Sequence, residues 1–213
     1  MGAKRAALAV LAAVAVIAVI VIVIVIITRN GGRTQPVADA TNVSSAPATV
    51  AVGADNLPPW PAPADATAAA GRAGLPMLSS EGMVEHIHAH LDVLVDGQPV
   101  PVPANIGIDT VHPGISPLHT HDDSGVIHIE SPVKRQFSLG EFFTEWGVSL
   151  SADKIGGLRA TDGKSVRVYV NGQLRTGDPA AIRFNQHDEI ALIYGPPQPE
   201  ERVPATYDFP PGD

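Results

Sequence analysis

Apolar and polar residues alternate from His86 to Val93, and Leu94 and Val95 extend the run as apolar residues. Ile87, Ala89, Leu91, Val93 and Val95 form one set, and His86, His88, His90 and Asp92 the other. Successive side chains of a strand point to opposite faces, so this pattern predicts a strand with one aliphatic face and one imidazole-rich face. Val126–Glu130 repeats it, with Ile127 and Ile129 on one side and His128 and Glu130 on the other. Val166–Val170 and Glu189–Tyr194 are predicted as further strands. Between them the period changes. Leu139, Phe142, Phe143 and Trp146 recur at helical spacing behind a Ser138/Glu141 capping box, with Phe137 and Phe142 placed as a hydrophobic staple and Gly147 as the stop.

Two turns share one motif. Val93-Leu94-Val95-Asp96-Gly97-Gln98 and Val168-Tyr169-Val170-Asn171-Gly172-Gln173 both read V-x-V-[DN]-G-Q. Asp-Gly and Asn-Gly suit two-residue hairpins, whose central residues need positive φ. Pro99, Pro101 and Pro103 then alternate, which marks an edge strand lacking N–H donors on one side. The element order is hairpin, strand, helix, hairpin, strand. This resembles the β-grasp (ubiquitin-like) arrangement and implies an α+β domain with a small mixed sheet and one main helix. A small β-barrel or cupin-like fold is the alternative. Its motif fits poorly, since four residues rather than five separate Gly114 from His119 and no Glu follows His121 at the required distance.

The domain is predicted to span 80–195. Ahead of it, Ala6–Ile27 is an unbroken apolar run of 22 residues. At about 1.5 Å per residue it is long enough to cross a bilayer core of about 30 Å. Residues 1–33 are therefore expected to form an N-terminal membrane anchor with its transmembrane helix over 6–27. A cleavable signal peptide is the rival reading. The Ala38-Asp39-Ala40 triplet resembles a cleavage site but lies ten residues past the run. Lys4 and Arg5 precede the span and Arg29 and Arg33 follow it, a slight bias toward a cytoplasmic N-terminus. With no second apolar span, the C-terminal body is expected outside the cytoplasm, as in a single-pass signal anchor. Residues 34–79, rich in Pro and Ala, read as a linker with a short helix near Ala64–Ala73 and a solitary Trp60. Residues 196–213 read as a proline-rich tail, lying along the surface or mobile.

Charge narrows the partners. The first 33 residues carry +4 and no acid, leaving −12 on the rest of a chain whose net charge is −8. An acidic body argues against nucleic acid. No cysteine is present, so disulfides, thiolate metal sites and a cysteine nucleophile are excluded.

Histidine carries the chemical signal. Seven of the eight histidines lie between residues 86 and 128. Strand residues two apart have side chains about 6.6–7 Å apart, within reach of one ion bound at about 2.0–2.1 Å from each imidazole. His86 and His90 are too far apart on a straight strand to share one ion. His88 and His90 are therefore the expected pair, joined by His119, His121 and His128. His86 is a weaker candidate near the strand's start. Asp92, Asp122 and Glu130 are expected to ligate or to orient imidazoles from behind. His112 and His187 read as turn and loop residues. Imidazole without thiolate suits Zn²⁺, Cu²⁺ or Fe²⁺, and copper or zinc is the expected cargo. Met83 is a thioether candidate for copper or, more simply, a hydrophobic residue entering the strand.

The segments EHIHAHLDV, ISPLHTHDDSGVIHIESP and SLGEFFTEWGV together resemble an uncharacterised group of bacterial membrane-anchored, His-rich proteins. The resemblance covers residues 57–195 and implies export from the cytoplasm, with no activity attached. Three functions compete. The first is a membrane-tethered extracytoplasmic metal-binding protein that handles copper or zinc. The second is a metal-dependent hydrolase or oxidoreductase using the same site, in which no general acid or base is separately identifiable and a glutamate such as Glu130 would have to supply one. The third is a β-grasp interaction module whose histidines bind no metal.

Overall fold

The computed structural model describes residues 46–212. The apolar run 6–27 and its expected transmembrane helix lie outside the described residues. Among the described residues no helix is long and apolar enough to cross a membrane.

The domain is α+β and mostly sheet. In chain order its elements are α1 (Ala66–Arg72), β1 (Glu85–Val95), β2 (Gln98–Val100), β3 (Ile108–Asp109), β4 (Gly114–Ile115), β5 (Leu118–His119), β6 (Val126–Ser131), α2 (Leu139–Trp146), β7 (Leu150–Ser151), β8 (Lys154–Ile155), β9 (Leu158–Arg159), β10 (Ser165–Val170), β11 (Gln173–Arg175) and β12 (Glu189–Gly195). The main sheet runs β11-β10-β12-β1-β6-β5, with β2 also paired to β1. It is open, with β11 and β5 at its ends, rather than closed into a barrel. At its centre β1 is parallel to β12 and antiparallel to β6.

Local chemistry sets these elements. Both Asx-Gly turns form. Asp96 and Gly97 have φ of 50° and 80°, Asn171 and Gly172 of 52° and 72°, joining β1 to β2 and β10 to β11. The helix α2 starts with the full capping box at Ser138 and Glu141 and ends at Gly147 in the left-handed region. Ser138 accepts from the Glu141 N–H and donates to the Ala48 carbonyl. Replacing Ser138 by alanine is expected to cost about 1 kcal/mol, the usual worth of an N-cap hydroxyl. A shift of the urea midpoint at constant slope would show it, and an unchanged midpoint would refute it.

The aliphatic faces of β1 (Ala89, Leu91, Val93), β6 (Ile127, Ile129), β10 (Val168, Val170) and β12 (Ile190, Leu192) share one buried core with Leu139, Phe142, Phe143 and Trp146 of α2. The faces assigned by alternation are the ones that pack.

Residues 46–79 depart from the expected linker. They are folded against the domain. Ala51 and Ala54 bridge to Leu150 and Val148, and Leu78 to Ile115. Trp60 is only 4% exposed and meets Trp146 edge-on, with ring centroids 5.9 Å apart. Its indole N–H donates to the Asn56 carbonyl, and that of Trp146 to the Trp60 carbonyl. Gly156, at φ +53°, makes room for the indole. A Cβ there would lie 2.7 Å from Trp60 Nε1. The segment thus needs no core of its own, because it completes another. The tail lies on the opposite face of the sheet. Glu201 pairs with Arg167 and accepts from the Tyr169 hydroxyl, and Tyr207 stacks on His90 at 3.8 Å.

Candidate metal centre

Register brings the histidines together. On the face of the sheet away from α2, His88 of β1 is directly opposite His128 of β6, which is in turn opposite His119 of β5. One step along, His86 is opposite Glu130. The loop after β5 returns His121 to the same place. Its ring centroid is 4.5 Å from that of His128 and 4.8 Å from that of His119.

His119 is the best-prepared donor. Its Nδ1–H donates to the Ser116 carbonyl at 2.9 Å. That bond fixes the tautomer and leaves a lone pair on Nε2, the arrangement usual for an imidazole that holds a metal. Burial lowers its pKa to about 3, against the opposing pull of Glu130, so the ring stays neutral. Nε2 lies 3.2 Å from His121 Nε2. Two donors bound tetrahedrally at about 2.0–2.1 Å would be separated by about 3.3 Å.

Glu130 is the hub of the cluster. Its Oε1 is 3.2 Å from His128 Nδ1, 3.5 Å from His88 Nε2 and 3.6 Å from His86 Nε2. Burial would raise its pKa, but His128 and His88 outweigh burial and hold the carboxyl well below the usual range. The Glu130 Oε2 and His88 Nδ1 atoms are buried without a hydrogen-bond partner. Unsatisfied buried polar atoms are costly, and here a carboxylate oxygen is left over within a ring of imidazoles. Two sets of donors, His119/His121/His128 and His86/His88/Glu130, each converge closely enough to hold a metal ion. A third set, Glu81/His119/Glu130, overlaps both.

Not every expected ligand joins the cluster. His90 turns toward β12, where its register partner is Glu189. Nδ1 is 2.7 Å from Glu189 Oε2, and Nε2 donates to the Ser124 carbonyl. Burial disfavours its charge, but these two acceptors outweigh burial and raise its pKa. Burial pushes the Glu189 carboxyl upward too. The two shifts describe one proton held on the 2.7 Å contact, and the carbonyl at Nε2 favours the imidazolium form. With both nitrogens engaged, His90 sits beside the cluster, grouped instead with Asp92 and Glu189. Asp122 caps its own loop by accepting from the Ser124 N–H. Met83 is 74% exposed, as expected of neither a ligand nor a core residue. His112 is at the surface near Asp109, and His187 stacks on Phe209. His86, although near the strand's start, reaches Glu130, with Nε2 3.6 Å from Oε1.

Sequence reasoning missed Glu81, whose Oε1 is 3.5 Å from His121 Nε2. It precedes the strand in a Ser/Gly loop, with no periodicity to place it. It also missed Glu189, 99 residues from the histidine it meets. No protein-family model, curated protein or solved structure matches this chain.

Proposed function

We propose that this protein is a membrane-tethered, extracytoplasmic metal-binding protein that handles copper or zinc through its histidine cluster. The observation that carries the reading is His119. A buried imidazole held neutral, with its Nδ1–H tied to a carbonyl, turns its Nε2 lone pair to the His121 Nε2–H, at tetrahedral-edge distance from that second imidazole. A merely solvated histidine face gives no reason for that burial or for the carboxylate beside it. Imidazole with one or two carboxylates and no thiolate favours borderline divalent ions. The tether rests on the apolar run Ala6–Ile27. The β-grasp reading is supported by the strand order, in which the first long strand lies parallel to the last and the helix falls between the two hairpins.

The test is titration of the metal-free full chain in detergent with Zn²⁺ and Cu²⁺. Submicromolar binding is expected for at least one. His121→Ala should weaken it by at least the roughly 10–100-fold lost when an outer partner of a ligand is removed. His112→Ala should leave it unchanged. Binding of neither ion below micromolar concentrations would overturn the reading. Retention in alkaline-washed membranes tests the tether separately, and release into the wash would refute it.

A further inference from the structure

We propose that the cluster holds two metal ions bridged by the carboxylate of Glu130. This rests on the metal-binding reading above and deepens it.

The donor count is the first argument. His86, His88, His119, His121, His128 and Glu130 converge on one patch of the sheet. Six donors exceed the four positions of a tetrahedral zinc site. They also divide into two sets by position. His86 and His88 come from β1, while His119 and His121 come from β5 and the loop behind it. β6 lies between β1 and β5, and the donor atoms gather as two groups, His86/His88/Glu130 and His119/His121/His128. One ion in each group, about 3.5–4 Å apart, gives the usual spacing of a two-metal site.

Glu130 occupies the middle strand and faces both sets. Its Oε1 is turned to His86 and His88, at 3.6 and 3.5 Å. These distances are long for hydrogen bonds, but close to the edge of a coordination polyhedron. Its Oε2 lies 4.0 Å from His119 Nε2 and is buried with no hydrogen-bond partner. A carboxylate whose Oε1 meets imidazoles of both sets and whose Oε2 is left open beside His119 is placed to bridge two ions. His128, beside it on β6, is 3.2 Å from Oε1 and belongs to the set of His119 and His121. Glu81, 3.5 Å from His121, brings a second negative charge to that outer ion, which helps offset two dications.

The experiment loads the full chain in detergent with Cu²⁺, removes unbound ion by gel filtration, and measures copper per chain together with the electron paramagnetic resonance spectrum. The expected result is two ions per chain, with a spin intensity below two and a half-field transition from the coupled pair. His86→Ala and His121→Ala both lie at the rim of the cluster. Each should reduce the stoichiometry from two to one and abolish the half-field signal. His112→Ala should retain both. One ion per wild-type chain overturns the bridged pair and leaves the metal-binding reading standing. Two ions with full, uncoupled intensity overturn the bridge and move the second ion elsewhere, with His90/Asp92/Glu189 the next group to test. No bound copper or zinc overturns both proposals.

Discussion

Acidifying the metal-free protein from pH 7 to pH 4 is expected to cost about 3 kcal/mol of folding stability through His119 alone. Burial lowers the pKa of His119 to about 3, whereas an unfolded histidine titrates near about 6.5. Below that value the unfolded chain takes up a proton that the folded chain refuses. The contribution is therefore complete above about pH 6.5 and is lost progressively down to about pH 3. Each pH unit in that window removes about 1.4 kcal/mol. Glu130 acts in the same direction. Its carboxyl is held well below the usual range, so its share is present above about pH 4.5 and disappears on the acid side. Urea unfolding with a chelator present, at both pH values, measures the effect. The wild type should lose about 3 kcal/mol more than His119→Gln, whose amide does not titrate. An equal loss in the two proteins would show that His119 is not held neutral.

Phe142→Ala should destabilise the domain by about 3–5 kcal/mol, the range for a large buried aromatic. Phe142 has no exposed surface and touches Phe143 and Trp146 within its own helix, with ring centroids 6.2 and 6.1 Å away. It also shares the core with Ile127, Ile129, Val168 and Val170. Small domains have only about 5–15 kcal/mol in total, so the variant should melt well below the wild type. A loss under about 1 kcal/mol would mean that α2 does not pack on the sheet. A double cycle with Trp146→Phe separates the intrahelical aromatic contact from the helix–sheet contact.

What the sequence revealed and what it hid have physical causes. The alternating strands, both Asx-Gly turns and the capping box of α2 are encoded within a few residues each, and all are present. The sharing of one patch by His88, His119 and His128 follows from alternation, once β1, β5 and β6 pair. The fate of His90 does not follow. Period alone puts it on the same face as His88, but its nearest acid, Glu189, lies on a strand 99 residues away, and the sequence gives no sign of that neighbour. Glu130 was legible as a polar companion of His128. Its central position depends on the register between β1 and β6, which alternation leaves undetermined by steps of two. Residues 46–79 carry no sequence signal of their order, because alanine and proline have no period. What orders them is Trp60 fitting against Trp146 and over Gly156, a complementarity visible only in three dimensions.

The parallel pairing of β1 with β12 also shapes how the domain folds. The candidate ligands of β1, β5 and β6 lie between residues 86 and 130, and β1 and β6 are antiparallel and joined through residues 96–125, a much shorter connection than the one from β1 to β12. The opposite side of β1 is filled only by β12, after about a hundred more residues have joined the chain. Such non-local closure is slow, because its loop entropy must be met before its contacts form. Until then β1 keeps an unpaired edge, the kind of surface that invites association with other chains. Pulse-labelled hydrogen exchange during refolding should therefore find the amides shared by β1 and β6 protected before those shared by β1 and β12.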